Sequence, residues 1–448
     1  MKVIKNWQII ATDDLREKAL RIINAGICAV LPNQIIPKSI MRISDKLFTV
    51  QGKICSQAGR IFVIGGGKAS GKMAEELEKS LGIDWIETGI IAEKANPKEF
   101  NCQKIVVMQA GHPVPDNRGL MITKKIFDLK EYYKLNIRDL IICLISGGGS
   151  ALLTYPYDGI TLEDKQAITK LLISCGADIT EINIVRKHLS KIKGGNLARY
   201  FAPVPIVSLI LSDVIGNDLS VIASGPTYPD SSTYQEALAV LQKYDLVEKA
   251  PPQIIFSLKQ GCHGERKETP KELFNVQNFL IGDNRLALKA MEEEARYLGF
   301  RPMVVSSELA GDTEVAAQRI AREILAGKFN GYDALILGGE TTPSLPPNVG
   351  KGGRNQHYAA YSMQFFSQYR GEWLLASVGS DGSDYLPGIA GALVDRESWR
   401  IINQQYNIYQ EQLHFYNSYS LLNNLRNSLV ITGNTYTNVG DLILYILR

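Results

Sequence analysis

A chain of 448 residues is too long for one ordinary core, so two domains are expected, and 45% hydrophobic, 21% charged and 8% aromatic residues is a soluble globular composition. The net charge is +3, with Lys and Arg interspersed among Asp and Glu, which argues against nucleic acid or an anionic membrane as the main partner. Any basic residues that matter should be local and serve one anionic ligand.

The N-terminus, MKVIKNWQIIATDDLREKAL, reaches acidic residues at once and does not read as a signal peptide. No apolar run approaches the ~18 residues of a membrane span. The six cysteines (Cys28, Cys55, Cys102, Cys143, Cys175, Cys262) include no C-x-x-C pair, and the five histidines are scattered. A reduced, cytoplasmic protein without a histidine metal site is expected. Apolar runs at 60–67, 104–111, 140–149 and 205–213 read as buried strands, with amphipathic stretches between them. Strand, glycine turn and helix in repetition predict a mostly parallel, Rossmann-like sheet flanked by helices. The texture turns polar after 226, and the βα rhythm resumes with NFLIGDN, a helix over 285–298, PMVVSS, a helix over 312–326, and DALILGGE. The domains are placed at 1–240 and 241–448. The tail LVITGNTYTNVGDLILYIL reads as two short strands around a turn.

The segment VIGGGKASGKM (63–73) almost matches a P-loop, but Met73 stands where Mg²⁺ needs a hydroxyl. As a dinucleotide fingerprint it puts Ser70 at the third glycine. What remains is a strand ending in Gly65–Gly67, with Gly66 and Gly67 amides, Lys68 and a helix start facing one anion, or else a plain tight turn. LISGGGSALL (144–153) forms a second such turn. Ser146, Gly147, Gly148, Gly149 and Ser150 could cradle a phosphate or carboxylate, because both turns open at the carboxyl edge of a parallel sheet. In AGHPVPDNRG, Pro113 and Pro115 stiffen a loop that carries His112 and Asp116. In 181–198, helical spacing puts Arg186, Ser190 and Lys193 near one face before Gly194–Gly195, as a solvated basic helix or as one wall of an anion pocket. Asp213, just past an apolar strand, is either a Mg²⁺ carboxylate or a helix N-cap, and Asn217 and Asp218 lie in the same loop. In the second half GGETT, GKGGRNQ and GSDGSD are polar glycine turns. Arg354 should start a helix and clamp an anion, and Glu340 and Asp381 follow strands as metal or base candidates. Turns in both halves predict an anion site in a cleft between the domains.

In series, GGGKAS, AGHPVPD, SGGGSALL, VRKHLSKIKGG, LSDVIGNDLSVIASGPT, GGETT, GKGGRNQ, SDGSD and TGNTYTNVGDL resemble the glycerate 2-kinase family, whose C-terminal half is the MOFRL domain. The resemblance implies two α/β domains and phosphorylation of D-glycerate at its 2-hydroxyl with ATP and Mg²⁺, giving 2-phosphoglycerate. It also implies an essential lysine and an essential arginine, which map onto Lys68 and Arg354. Asp213, then Asp381, are the expected metal carboxylates. Gly66, Gly67, Ser146 to Ser150, Arg186, Asn217 and Glu340 are the expected binding residues. Some members carry the older label hydroxypyruvate reductase, so an NAD(P)H-dependent reductase is the rival reading, along with a kinase for a related hydroxy acid. The sequence departs from the family pattern at Tyr385–Gly388 and in the Pro-rich stretch PSLPPNVG. The oligomeric state, monomer or homodimer, stays open.

Overall fold

The computed structural model describes residues 1–44, 47–56 and 59–448. The chain forms two compact units, one of Ile35–Ile281 and the other of Met1–Gln34 with Gly282–Arg448. The boundary expected near 240 therefore falls about forty residues later, and the first 34 residues belong with the C-terminal part. Two contacts explain the shift. The strand Val276–Gly282 lies at the edge of the first unit's sheet, beside Ile206–Leu211, and Ile206 N donates to Asn275 O at 2.7 Å just before it. At the other end, the buried Arg16 of the helix Asp14–Ala29 donates through Nε to Asp395 Oδ2 at 2.5 Å and through Nη1 to Asn427 O at 2.6 Å.

In the Ile35–Ile281 unit the six-stranded sheet runs Ile105–Gln109, Ile86–Glu93, Ile61–Gly66, Leu140–Ser146, Ile206–Leu211, Val276–Gly282. Numbered along the chain, the order is 3-2-1-4-5-6, the doubly wound order of dinucleotide-type folds. Neighbours among the first five are parallel. Leu140–Ser146 is buried at every position because both faces are covered, which is why it reads as a continuous apolar run. Ile86–Glu93 went unpredicted: its solvent-facing residues break the apolar run. The helices Leu162–Ser174, Ile179–His188, Tyr234–Lys243 and Pro252–Cys262 bury a separate cluster around Leu172, Val185, Leu241 and Leu258.

The other unit carries a six-stranded sheet ordered Pro302–Leu309, Ala334–Gly339, Asp441–Leu447, Trp373–Gly379, Ile389–Asp395, Leu429–Ile431. Only its first pair is parallel. Both tail strands exist, but they do not pair: Leu429–Ile431 is an edge strand, whereas Asp441–Leu447 runs through the middle. The predicted helices appear at Asn284–Tyr297 and Thr313–Leu325. Asp283 and Asp312 side chains cap them by accepting from Leu286 N and from Glu314 and Val315 N. No single helix among the described residues is long and apolar enough to cross a membrane.

Candidate active site at the paired glycine turns

The strands Ile61–Gly66 and Leu140–Ser146 are neighbours, and the sheet order reverses between them. Chain connections leave in opposite directions there, opening a crevice at the carboxyl ends where α/β proteins bind ligands. Both glycine turns sit on that edge.

The first turn does not offer its amides to a ligand. Gly67 N donates to Ala92 O (3.1 Å), Lys68 N to Gly147 O (2.9 Å) and Ser70 N to Gly67 O (3.2 Å). Ala69 N donates to Ser146 Oγ (3.0 Å) and Gly71 N to Glu93 Oε2 (2.9 Å). The expectation that Gly66 and Gly67 supply an anion cradle is corrected: Gly66 lies inside a strand paired on both sides, the Gly67 amide is taken by Ala92 O, and the start of the helix Ser70–Leu81 is already occupied by the buried Glu93 carboxylate. Gly67 is needed for another reason. Its φ is 152°, and any β-carbon would overlap Ser146. Ser146 is likewise fully buried, latching the two turns together by accepting from Ala69 and pairing with Ser70 Oγ at 3.2 Å, not facing a ligand. The first turn's contribution to the crevice is the half-buried Lys68 side chain.

The second turn is different. Among the described residues, no protein group accepts from the amides of Gly147, Gly148, Gly149 or Ser150. A β-carbon built on Gly148 would lie 3.0 Å from the His112 ring and 3.1 Å from Lys68 Cγ; one built on Gly147 would overlap the Asp213 carboxylate. Lys68, His112 and Asp213 thus converge on Gly147–Gly148. Asp213 caps no helix: the short helical turn that follows is capped by Val214, leaving the carboxylate at the glycine turn. Asn217, at φ 58°, shares its loop. Asp116, by contrast, is an N-cap, accepting from Gly119 N at 3.0 Å.

The basic segment 181–198 is not one helix. It stops at His188, because Ser190 Oγ accepts from Ile192 N and Lys193 N and turns the chain. That turn brings Lys193 back beside Arg186. Arg186 Nη2 donates to Ser150 Oγ at 2.6 Å, and Lys193 Nζ donates to Ser150 Oγ and O at 2.8 and 2.7 Å. Ser150 Oγ also pairs with Ser224 Oγ (2.8 Å), which donates to Asn183 Oδ1 (3.0 Å). Sequence reasoning missed Ser224 and Asn183, the latter on the same helix as Arg186, and also Lys165 of the helix Leu162–Ser174, whose Nζ donates to Thr154 Oγ1 at 3.4 Å.

In the other unit Arg354 begins the helix Arg354–Ser362, as expected. Its Nε and Nη2 donate to Asp441 at 2.7 and 3.0 Å, and Nη1 pairs with Glu340 at 2.7 Å. Burial opposes its charge, but the Asp441 and Glu340 carboxylates outweigh burial and raise its pKa above the ordinary value. The Asp441 side chain is 4% exposed and also accepts from Asn355 Nδ2 at 2.8 Å, whereas Glu340 is 43% exposed. Asp384 holds the helix start, accepting from the amides of Asn355 and Gln356 at 3.0 and 2.8 Å. Burial pushes its carboxyl up to about 6. Asp381 accepts from Ser383 N at 2.9 Å in the adjoining turn. Asp441 and Asp384 stand in segments that drew attention as motifs, but nothing local marked them as partners of Arg354 and its helix. No cluster of three His, Cys, Asp or Glu suited to a metal occurs among the described residues.

The fold and its glycine turns define a two-unit α/β protein. Residues 18–259 match the family described as a domain of unknown function, DUF4147, and residues 333–441 match the MOFRL family. The chain is 37% identical to a glycerate 2-kinase of Pyrococcus horikoshii over 97% of this chain and 98% of that one. It is 34% identical to a D-glycerate 2-kinase of Thermotoga maritima over 96% and 98%. The solved structure of glycerate kinase from Thermotoga maritima superposes with a TM-score of 0.83, covering 97% of this chain and 99% of that one. The chain belongs to the glycerate 2-kinase family.

Proposed function

We propose that the protein transfers the γ-phosphoryl group of ATP to the 2-hydroxyl of D-glycerate, giving 2-phosphoglycerate and ADP. The observation that carries this reading is the run of open amides at Gly147–Ser150, with Lys68 and Asp213 converging on it at the switch point. Phosphoryl transfer asks for little covalent help and much charge neutralisation at a fixed point, which amides and a lysine provide. Arg354 is the second residue we assign to this chemistry; within its own unit Asp441 fixes the guanidinium plane and the exposed Glu340 pairs with Nη1.

A single carboxylate beside a phosphate cradle suits Mg²⁺, which takes one or two protein carboxylates and leaves its other positions to phosphate and water. Asp213 fits that donor role, with Asp381 the second candidate; the ion would supply charge neutralisation on the phosphate oxygens. Asn217 lies in the Asp213 loop and is assigned to nucleotide or substrate binding with Arg186 and Ser150. The family, the free state of all six cysteines and the two-substrate chemistry fit a cytoplasmic enzyme with small-molecule partners.

The reductase reading is disfavoured by Glu93. In a dinucleotide fold the pyrophosphate sits at the first helix's N-terminus, where the Glu93 carboxylate accepts from Gly71 N. The test is an ADP-coupled assay with D-glycerate, L-glycerate and related hydroxy acids, with the product identified as 2- or 3-phosphate. D-glycerate giving the 2-phosphate is expected, with turnover lost by about 10³-fold in Lys68→Ala and Arg354→Ala. No ADP from any of these acids, or near-wild-type turnover in both variants, refutes the proposal.

A further inference from the structure

Lys193 is 1% exposed and Lys165 6% exposed, and together with the half-buried Arg186 they crowd around the end of the second glycine turn. Lys193 and Arg186 meet on Ser150, while Lys165 Nζ donates to Thr154 Oγ1 at 3.4 Å. None of the three has an ion-pair partner among the described residues. Other buried cations in the molecule are paired: Lys187 with Asp230 at 3.2 Å, Arg16 with Asp395 at 2.5 Å. Burying charge without a counter-charge is costly, and a fold keeps such a cluster where a ligand supplies the missing anion. Burial and mutual repulsion lower the pKa of Lys193 well below its ordinary value and bring Lys165 down to about 7. The surrounding backbone is also held in an unfavourable form. Ala223 and Ser224 have φ of 51° and 61°, and Ser224 O and Gly225 O accept from Gly194 N and Gly195 N, locking the Lys193 loop against Ser150.

We infer that Arg186, Lys193 and Ser150 form the seat of the hydroxy acid's carboxylate, with Lys165 supplying additional positive field. This rests on the kinase reading above and divides the second turn between two tasks. Gly147 and Gly148, with Lys68 and Asp213, face the phosphoryl group; Ser150 and its cations hold the acid. Two features favour a carboxylate over the nucleotide's phosphates. Among the described residues, no carboxylate pairs with these three cations that could share a metal ion with a triphosphate. Its deepest cation is fully enclosed, which suits a small, planar, singly charged group received by an arginine fork. The seat also supplies a reason for acid specificity: a neutral analogue leaves buried cations without a counter-charge.

The test uses the full chain with Lys193→Met and Arg186→Gln. The KM for D-glycerate rises about 10- to 100-fold in each, the cost of losing a charge-assisted hydrogen bond, while the KM for ATP moves less than about threefold. The preference of the wild type for D-glycerate over its uncharged amide collapses in both variants. Thermal stability of Lys193→Met is equal to or above wild type, because an unpaired buried charge has been removed. A rise in the ATP KM instead, or a fall in stability with both KM values unchanged, overturns the seat. Calorimetric titration with D-glycerate and D-lactate without nucleotide separates this from failure of the kinase reading. Binding to the wild type that both variants lose upholds the seat even without phosphorylation; wild-type and variant binding that are equal, or absent throughout, rejects it.

Discussion

Gly147→Ala is the sharpest probe of the geometry at the switch point. Gly147 does not sit at positive φ, so alanine meets no backbone penalty there, in contrast to Gly67 or Gly148. Its three nearest neighbours all belong to one side chain: the new methyl would overlap the Asp213 carboxylate, with Oδ1 at 2.8 Å the farthest of the three atoms. To restore ordinary contact the carboxylate must retreat by roughly 1 Å or more, and a misplacement of that size in a reacting constellation costs about 10²-fold in rate. Asp213 is half-buried in a loop and can rotate away without disturbing the sheet. We therefore expect kcat in the ADP-coupled assay to fall about 10²-fold, with a steeper dependence on Mg²⁺ concentration and a melting temperature within a few degrees of wild type. Gly159→Ala is the matched control: it carries φ of 86° with open space around it, so it should lose about 1 kcal/mol of stability and no activity. A Gly147→Ala enzyme with wild-type kcat and Mg²⁺ dependence would refute the reasoning, because Asp213 would then have no positional demand to meet.

Other outcomes follow from single contacts. Arg354→Lys keeps the charge but loses the fork that pairs Nε and Nη2 with Asp441; kcat should fall about 10²-fold or more with little change in melting. Asp441→Asn should lower kcat through the same guanidinium, and combining it with Arg354→Lys should add little further loss, which a double-mutant cycle measures. Burial raises the Glu93 pKa from 4.5 to about 7. A folded-state value above the unfolded one means the native state holds the extra proton between these limits, so this contribution is complete below about pH 4.5 and is lost as pH rises through 7. Glu93→Gln should accordingly stabilise the protein at pH 8 by about 3 kcal/mol at most and leave it unchanged near pH 4.5, as read from denaturant midpoints at the two values. Hydroxypyruvate with NADH should show no loss of nicotinamide absorbance, and the Glu93→Gln protein should show none either.

Local pattern alone determined much of this molecule. Continuous apolar runs ending in glycine identified strands such as Leu140–Ser146 and Ala334–Gly339, since a strand covered on both faces has no polar side to interrupt it. The motif series implied the family, and Arg354 appeared at the helix start that Gly352–Gly353 announces. Tertiary structure decided which of two similar glycine turns has amides to give. Both turns look alike as sequence, but Glu93 and Ser146, distant along the chain, consume the first turn's donors and leave those of Gly147–Ser150 open. It also decided that Lys193, beyond the end of its helix, folds back beside Arg186, and that Met1–Gln34 joins the C-terminal unit through Arg16 and Asp395. The physical reason is common to all three cases: hydrogen bonds and ion pairs between residues tens to hundreds of positions apart leave no period or spacing in the sequence, whereas burial of a strand or helix face does.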